Sequence, residues 1–231
     1  MSHAPVLAPR RLPAAVLVPG ALLLAIGWLS LGALRDHADL VTFSGMWLAM
    51  TVAMMIPTAL RPMQRAADGS TARAWAFVAG FVVAWAASGV PAYLVMRAVE
   101  WTPAWIAATW VLAGAYQLTP WMFRNLTTCR SIGYGGEPMR YGIRQGARCV
   151  GSCWPLMVAV MVSVMAIPGT VLPLAALVAV TALLCWEKRP GVTPRSIASI
   201  GMAMLLVAVG GVVLVGGGSS SHHSAGAASR S

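Results

Sequence analysis

The sequence predicts an all-α, polytopic transmembrane helix bundle of about seven spans, on three observations. Hydrophobic residues fill 58% of the 231 positions and charged residues only 10%, a balance foreign to soluble globular domains. Apolar stretches near the length needed to cross a bilayer recur along the chain. The cations, finally, cluster in alternate connecting segments, as they do when a membrane protein sets its orientation.

The first span is 13–34, after a short cytoplasmic N-terminus of residues 1–12 carrying Arg10 and Arg11. Its apolar run is too long for a signal peptide and no small-residue cleavage site stands out, so it reads as retained. The others are 44–60, 74–96, 103–123, 149–167, 170–186 and 196–216, the second and sixth being short. With the N-terminus inside and the C-terminus out, thirteen of the sixteen Lys and Arg residues face inward, and only Arg35, Arg97 and Arg230 face outward. Six spans would spoil that count, so the expected location is multi-pass in the cell membrane, with the lipid bilayer as a partner. The net charge of +10 then reports orientation, and no nucleic-acid partner is expected.

The tryptophans agree, with Trp75, Trp121, Trp154 and Trp186 near the inner interface and Trp47, Trp101 and Trp105 near the outer one. In the third span, Ala76, Gly80, Ala84 and Ser88 form a small-residue ladder that lets another helix approach closely. Residues 13–216 thus read as a single transmembrane domain with a basic, Gly-rich inner loop at 124–148. The low-complexity stretch 217–231 reads as a disordered extracytoplasmic tail, in which His222 and His223 are not expected to bind metal.

Chemistry concentrates in sulfur. Cys149, Cys153, Met157, Met161 and Met165 recur every fourth residue through the fifth span, forming one slowly drifting stripe about 24 Å long on a helix. Thiolate and thioether are the ligands that select Cu(I), and thiolate also suits Zn(II). The plainer alternative is packing, since Met fills irregular gaps and free Cys behaves as a small hydrophobe. The predicted topology places Cys129, Cys149, Cys153 and Cys185 on the inner, reducing side, where thiols stay free for metal or redox chemistry. Cys149 and Cys153, one turn apart, suit capture of one ion, completed by Met157, Cys129 or Cys185.

The second span repeats the theme with Met46, Met50 and Met54, and Met55 beside them. Aligned on tryptophan, Trp47-x-x-Met50-x-x-x-Met54 matches Trp154-x-x-Met157-x-x-x-Met161, a match compatible with a 3+3 inverted repeat plus one extra helix. In that case the two Met stripes face each other near the bilayer midplane.

These segments carry a resemblance to a known family. The motifs are Met46-Trp47 through Met50 to Ala53-Met54-Met55 and Pro57; Ala113-Gly114-Ala115-Tyr116-Gln117-Leu118-Thr119-Pro120; Cys129-Arg130; Cys149-Val150-Gly151 with Cys153-Trp154 and Leu156-Met157; and Glu187-Lys188. Over most of 44–205 the chain resembles the predicted metal-binding integral membrane proteins grouped as domain of unknown function 2182. The resemblance implies a multi-helix membrane protein with metal affinity at its Cys and Met residues, and no established activity. This chain departs from the family pattern at Asn125, where a further Cys is common, at Gln145, where a His is common, and at Ser152, the first position of a Cys-Cys-Trp triplet. Those losses argue against a Cys/His-rich Zn(II) site and favour sulfur-only, Cu(I)-like ligation, or a degenerate member that binds no metal.

Absences narrow the function further. No Asp, Glu, Lys or Arg lies mid-span, which leaves proton-coupled transport without an obvious group to use. No Lys stands in the last span for a retinal Schiff base, all four His lie outside the spans, and no P-loop pattern occurs. Tyr116 and Gln117, polar in the fourth span, suit hydrogen bonds to a neighbouring helix. Glu187, beside Lys188 and Arg189, reads as an interfacial ion pair.

The leading expectation is therefore a membrane protein that binds Cu(I) for transport, buffering or delivery. Cys149 and Cys153 would be the inner capture site, Met46, Met50, Met54, Met157, Met161 and Met165 weaker sites, and a metallochaperone or metalloenzyme the partner. One rival is an assembly partner whose Met-rich helices pack against another membrane protein, with no metal. A second is a thiol oxidoreductase using Cys149 or Cys153, although no base stands beside either and an enzyme is the weaker expectation.

Overall fold

The computed structural model describes residues 39–131, 136–166 and 171–188, with side chains described over 39–130, 136–164 and 178–188. The expected spans 13–34 and 196–216 and the tail 217–231 lie outside these residues, as does the side chain of Met165. Every described element is helical. The helices are α1 (Leu40–Met50), α2 (Leu60–Ala67), α3 (Thr71–Ala98), α4 (Pro103–Gln117), α5 (Pro120–Ser131), α6 (Pro138–Ala166) and α7 (Val171–Glu187). Two of them, Thr71–Ala98 and Pro138–Val164, are long and apolar enough to cross a membrane, and a bent pair, Leu40–Met55 with Pro57–Ala67, makes three if it is one span. The seven-span count and its orientation go beyond these helices.

Proline places the breaks. After α1 the chain makes a π-helical turn over Thr51–Met55 and a 3₁₀ turn over Pro57–Ala59, and the axis bends by 45°. Pro57 has no N–H to offer the carbonyl four residues back and crowds it, while the wide turn before it absorbs the extra residue. The expected fourth span is likewise interrupted: α4 ends at Gln117, Pro120 opens α5, and the Thr119 hydroxyl caps α5 by accepting from the Met122 N–H at 3.2 Å. The stretch 124–148, expected as a loop, is helical through Ser131 and again from Pro138.

The chain divides into two compact units. One comprises residues up to Gly89 with Ser131–Val150, the other Val90–Arg130 with residues from Gly151 onward. In the first unit α3 and α6 meet backbone to backbone. A Cβ on Gly80 would stand 2.1 Å from the Met139 carbonyl oxygen, and one on Gly142 would stand 2.1 Å from that of Phe77. A Cβ on Gly146 would meet the Ala84 Cβ at 2.7 Å. The paired positions rise together, so the two helices run in the same direction. The small-residue ladder predicted to admit another helix thus admits α6 of the same chain at Gly80 and Ala84. Tilted Phe77 and Tyr141 rings, 5.5 Å apart, close the contact.

In the second unit α4 and α6 run antiparallel. The Trp110 indole donates to the Ser163 hydroxyl at 2.6 Å, and the Tyr116 hydroxyl donates to the Gly151 carbonyl. That carbonyl is available because Pro155, four residues on, lies inside the helix and lacks the N–H that would bond it. The Asn125 amide adds a second, longer bond to it at 3.5 Å and a bond to the Trp121 carbonyl at 3.1 Å. Gly151 makes room, since a Cβ there would lie 2.9 Å from the Asn125 Cγ.

Candidate metal centre

In the first unit Met46, Met50, Met54 and Met55 are all fully buried on α1 and the π turn. Their helix is fixed by Trp47, whose indole N–H donates to the Trp85 carbonyl at 2.9 Å and whose ring occupies the space left by the missing Cβ of Gly89. Along a regular α-helix the stripe begun by Met46 and Met50 would continue at Met54. Within the π turn the Ile56 N–H reaches back five residues to the Thr51 carbonyl at 3.3 Å, so one turn consumes an additional residue. Met55 thereby takes up the line that Met54 would have held.

Met55 meets Cys149 of α6. The Cys149 thiol lies 3.9 Å from the Met55 thioether sulfur, with Cys149 1% and Met55 0% exposed. Two sulfurs bound to one ion at about 2.3 Å each, with an angle near 120°, stand about 4 Å apart. The observed spacing is that of a thiol hydrogen-bonded to a thioether, and it is also a spacing at which two sulfurs could reach one ion. Sequence reasoning put Cys149 in the site but left Met55 out of the ligand set. The usable signal was Pro57, which forces an irregular turn just before it and so shifts the phase of any i, i+4 stripe.

In the second unit Cys153, Met157 and Met161 are buried along the C-terminal half of α6, Cys129 is buried near the end of α5, and Cys185 is half-buried on α7. Cys153 lies 3.3 Å from the hydroxyl of Ser152. The Arg130 guanidinium donates to the Glu187 backbone carbonyl, and burial lowers the Arg130 pKa. Burial also pushes the Glu187 carboxyl up to about 7; the Cys153 charge adds to that, against the pull of Lys188 and Arg130. Glu187 is thus buried, with Cys153, Lys188 and Arg130 close enough to act on its charge. Among the described residues, no three His, Cys, Asp or Glu side chains gather to hold a metal, so Cys129, Cys153 and Cys185 do not form a three-thiol centre there. Gln117 is buried with neither end of its amide hydrogen-bonded among the described residues.

Asn125 and Ser152, read from the sequence as departures from the resembled pattern, have structural occupations here. Asn125 clamps α5 to the carbonyl that Pro155 exposes, and Ser152 stands beside Cys153. Gln145 is buried two turns along α6 from Cys153, in line with Cys149.

A family model described as PpoB2, copper chaperone, matches residues 44–213. The chain belongs to this copper chaperone family. The match begins inside α1 and takes in α2 and every described helix after it, including Met55 and all four cysteines. It replaces the domain-of-unknown-function label that the motifs suggested, while the copper-related part of that expectation stands. No curated protein and no solved structure matches the chain. Membership makes the function of this copper chaperone family member copper-related and turns the question to where its cargo sits.

Proposed function

We propose that the chain is a multi-pass membrane copper chaperone that holds Cu(I) between the Cys149 thiolate and the Met55 thioether. The observation that carries this reading is the 3.9 Å approach of those two buried sulfurs. A two-sulfur site leaves a coordination position open, and an incoming thiol or thioether from a donor or acceptor protein can enter there before a resident ligand leaves. That is what handover of cargo requires, and a site closed by four ligands would resist it. The neutral thioether contributes no charge, so the ion and one thiolate neutralise each other in an apolar surround, avoiding the cost of an unpaired buried charge.

Cys153, about 6 Å further along the same helix, is the second thiol of the reading, and Met46, Met50, Met54, Met157, Met161 and Met165 are weaker thioether positions beyond it. Cys129 and Cys185 are reserve thiols, and Zn(II) is disfavoured by the shortage of hard or imidazole donors. The acceptor is a metalloenzyme or a metal transporter.

The membrane part of the proposal draws on two further facts. Val83, Val90, Leu94 and Val95 leave α3 with exposed apolar side chains, as lipid contact demands. Parallel α3 and α6 with antiparallel α4 and α6 are also what successive spans alternating in direction would produce.

Elemental analysis of the purified protein under reducing conditions, after equilibration with Cu(I) and separately with Zn(II), tests the reading. Near-stoichiometric copper in the native chain, lost in Cys149→Ser/Cys153→Ser, is the expected result. Copper retained unchanged in the double variant would sink it.

A further inference from the structure

At the start of α6, Gly136, Glu137, Arg140, Ile143 and Arg144 line a cavity of about 480 Å³ that opens to the surface, with no sulfur residue among its described lining. Gly136 turns the chain into it with φ +85°, a conformation that costs glycine little. Arg140 and Arg144 are one helical turn apart, about 6 Å along the axis, so two guanidinium forks can close on the oxygens of one anion. Glu137 offsets one of the two cationic charges, leaving a net +1 on the lining side chains, and the positive end of the helix dipole adds to it. Arg148 continues the exposed row one turn further on.

The chemistry suits a phosphoanion, and the remaining features favour one attached to carbon. Ile143 supplies an apolar wall that inorganic phosphate would not use. The helix then continues as a stretch apolar enough to cross a membrane, which sets its first turns at the level of lipid headgroups.

We propose that this cavity binds the phosphodiester headgroup of an anionic phospholipid, with Arg140 and Arg144 as the anion ligands. The lipid source rests on the membrane reading above, whereas the site itself is independent of copper.

The full chain in neutral detergent is titrated with short-chain phosphatidylglycerol, phosphatidylcholine or inorganic phosphate, and the retained lipid is read by native mass spectrometry. Phosphatidylglycerol is expected to bind at least about tenfold more tightly than phosphatidylcholine, and Arg140→Gln/Arg144→Gln to remove that preference with copper stoichiometry intact. Arg140→Lys/Arg144→Lys, which keeps the charge but not the bidentate forks, should fall between and decides the matter if the Gln pair does not fold. Equal retention of both lipids, or an unchanged preference in the variants, overturns the site while leaving the membrane reading in place. Retention of neither lipid likewise overturns the site. Displacement of phosphatidylglycerol by millimolar inorganic phosphate would reassign the cavity to a free phosphoanion.

Discussion

The thiol of Cys149 and the thioether of Met55 stand 3.9 Å apart although 94 positions separate them in the chain. Their meeting depends on a π turn, because only an additional residue in the turn brings Met55, and not Met54, onto the line begun by Met46 and Met50.

That phase shift predicts a contrast between neighbours. Met55→Leu should weaken Cu(I) binding by about 10- to 100-fold or more in a competition titration against a chromophoric chelator, since even groups behind a ligand are worth that much. Met54→Leu, equal in burial and nearly equal in volume, should change it by less than about threefold and cost under about 1.5 kcal/mol of stability. Equal losses in both would remove Met55 from its special place.

Gly142→Ala tests the backbone contact of α3 with α6. The new methyl would meet the Phe77 carbonyl at 2.1 Å, an approach that no rotamer relieves. A loss of roughly 3 kcal/mol or more is expected in detergent unfolding, at the upper end of overpacking costs. A midpoint within error of the native protein would mean that the helices separate easily.

The Gly151 carbonyl gives a test by restoration. Tyr116→Phe combined with Asn125→Ala removes both groups that reach it and leaves a carbonyl that Pro155 cannot satisfy, for an expected cost of about 2–3 kcal/mol. In a Pro155→Ala background the helix N–H returns, and the same pair of changes should cost under about 1 kcal/mol. Equal costs in the two backgrounds would show that the carbonyl is not what these side chains serve.

Trp47→Phe should cost roughly 2 kcal/mol, because it deletes a buried hydrogen bond to the Trp85 carbonyl and opens space beside Gly89. Copper affinity should fall with it, since Trp47 fixes the helix that leads into the π turn. Thermal unfolding and the chelator titration read the two effects separately, and a loss of stability without any loss of affinity would uncouple the anchor from the site.

The amino-acid sequence by itself determined the helical character, the apolar length of α3 and α6 and the close packing at Gly80. Each of these follows from local composition and from spacings of three or four residues, which any α-helix converts into a face. It also pointed to copper through the excess of thioether and thiol over imidazole and carboxylate.

Tertiary structure decided the rest. Stretch 124–148 looked like a loop because its glycines and arginines are poor span material, yet Tyr141, Gly142 and Gly146 pack against α3 and so hold the start of α6 helical. Asn125 and Tyr116 owe their roles to a carbonyl freed by Pro155 on another helix. Cys149 found its partner in Met55 because a proline and a π turn changed the phase of one helix against a cysteine on a distant one. Helical periodicity specifies which residues share a face, but it holds only while the turn stays regular, and which faces meet is settled by contacts between segments far apart in the chain.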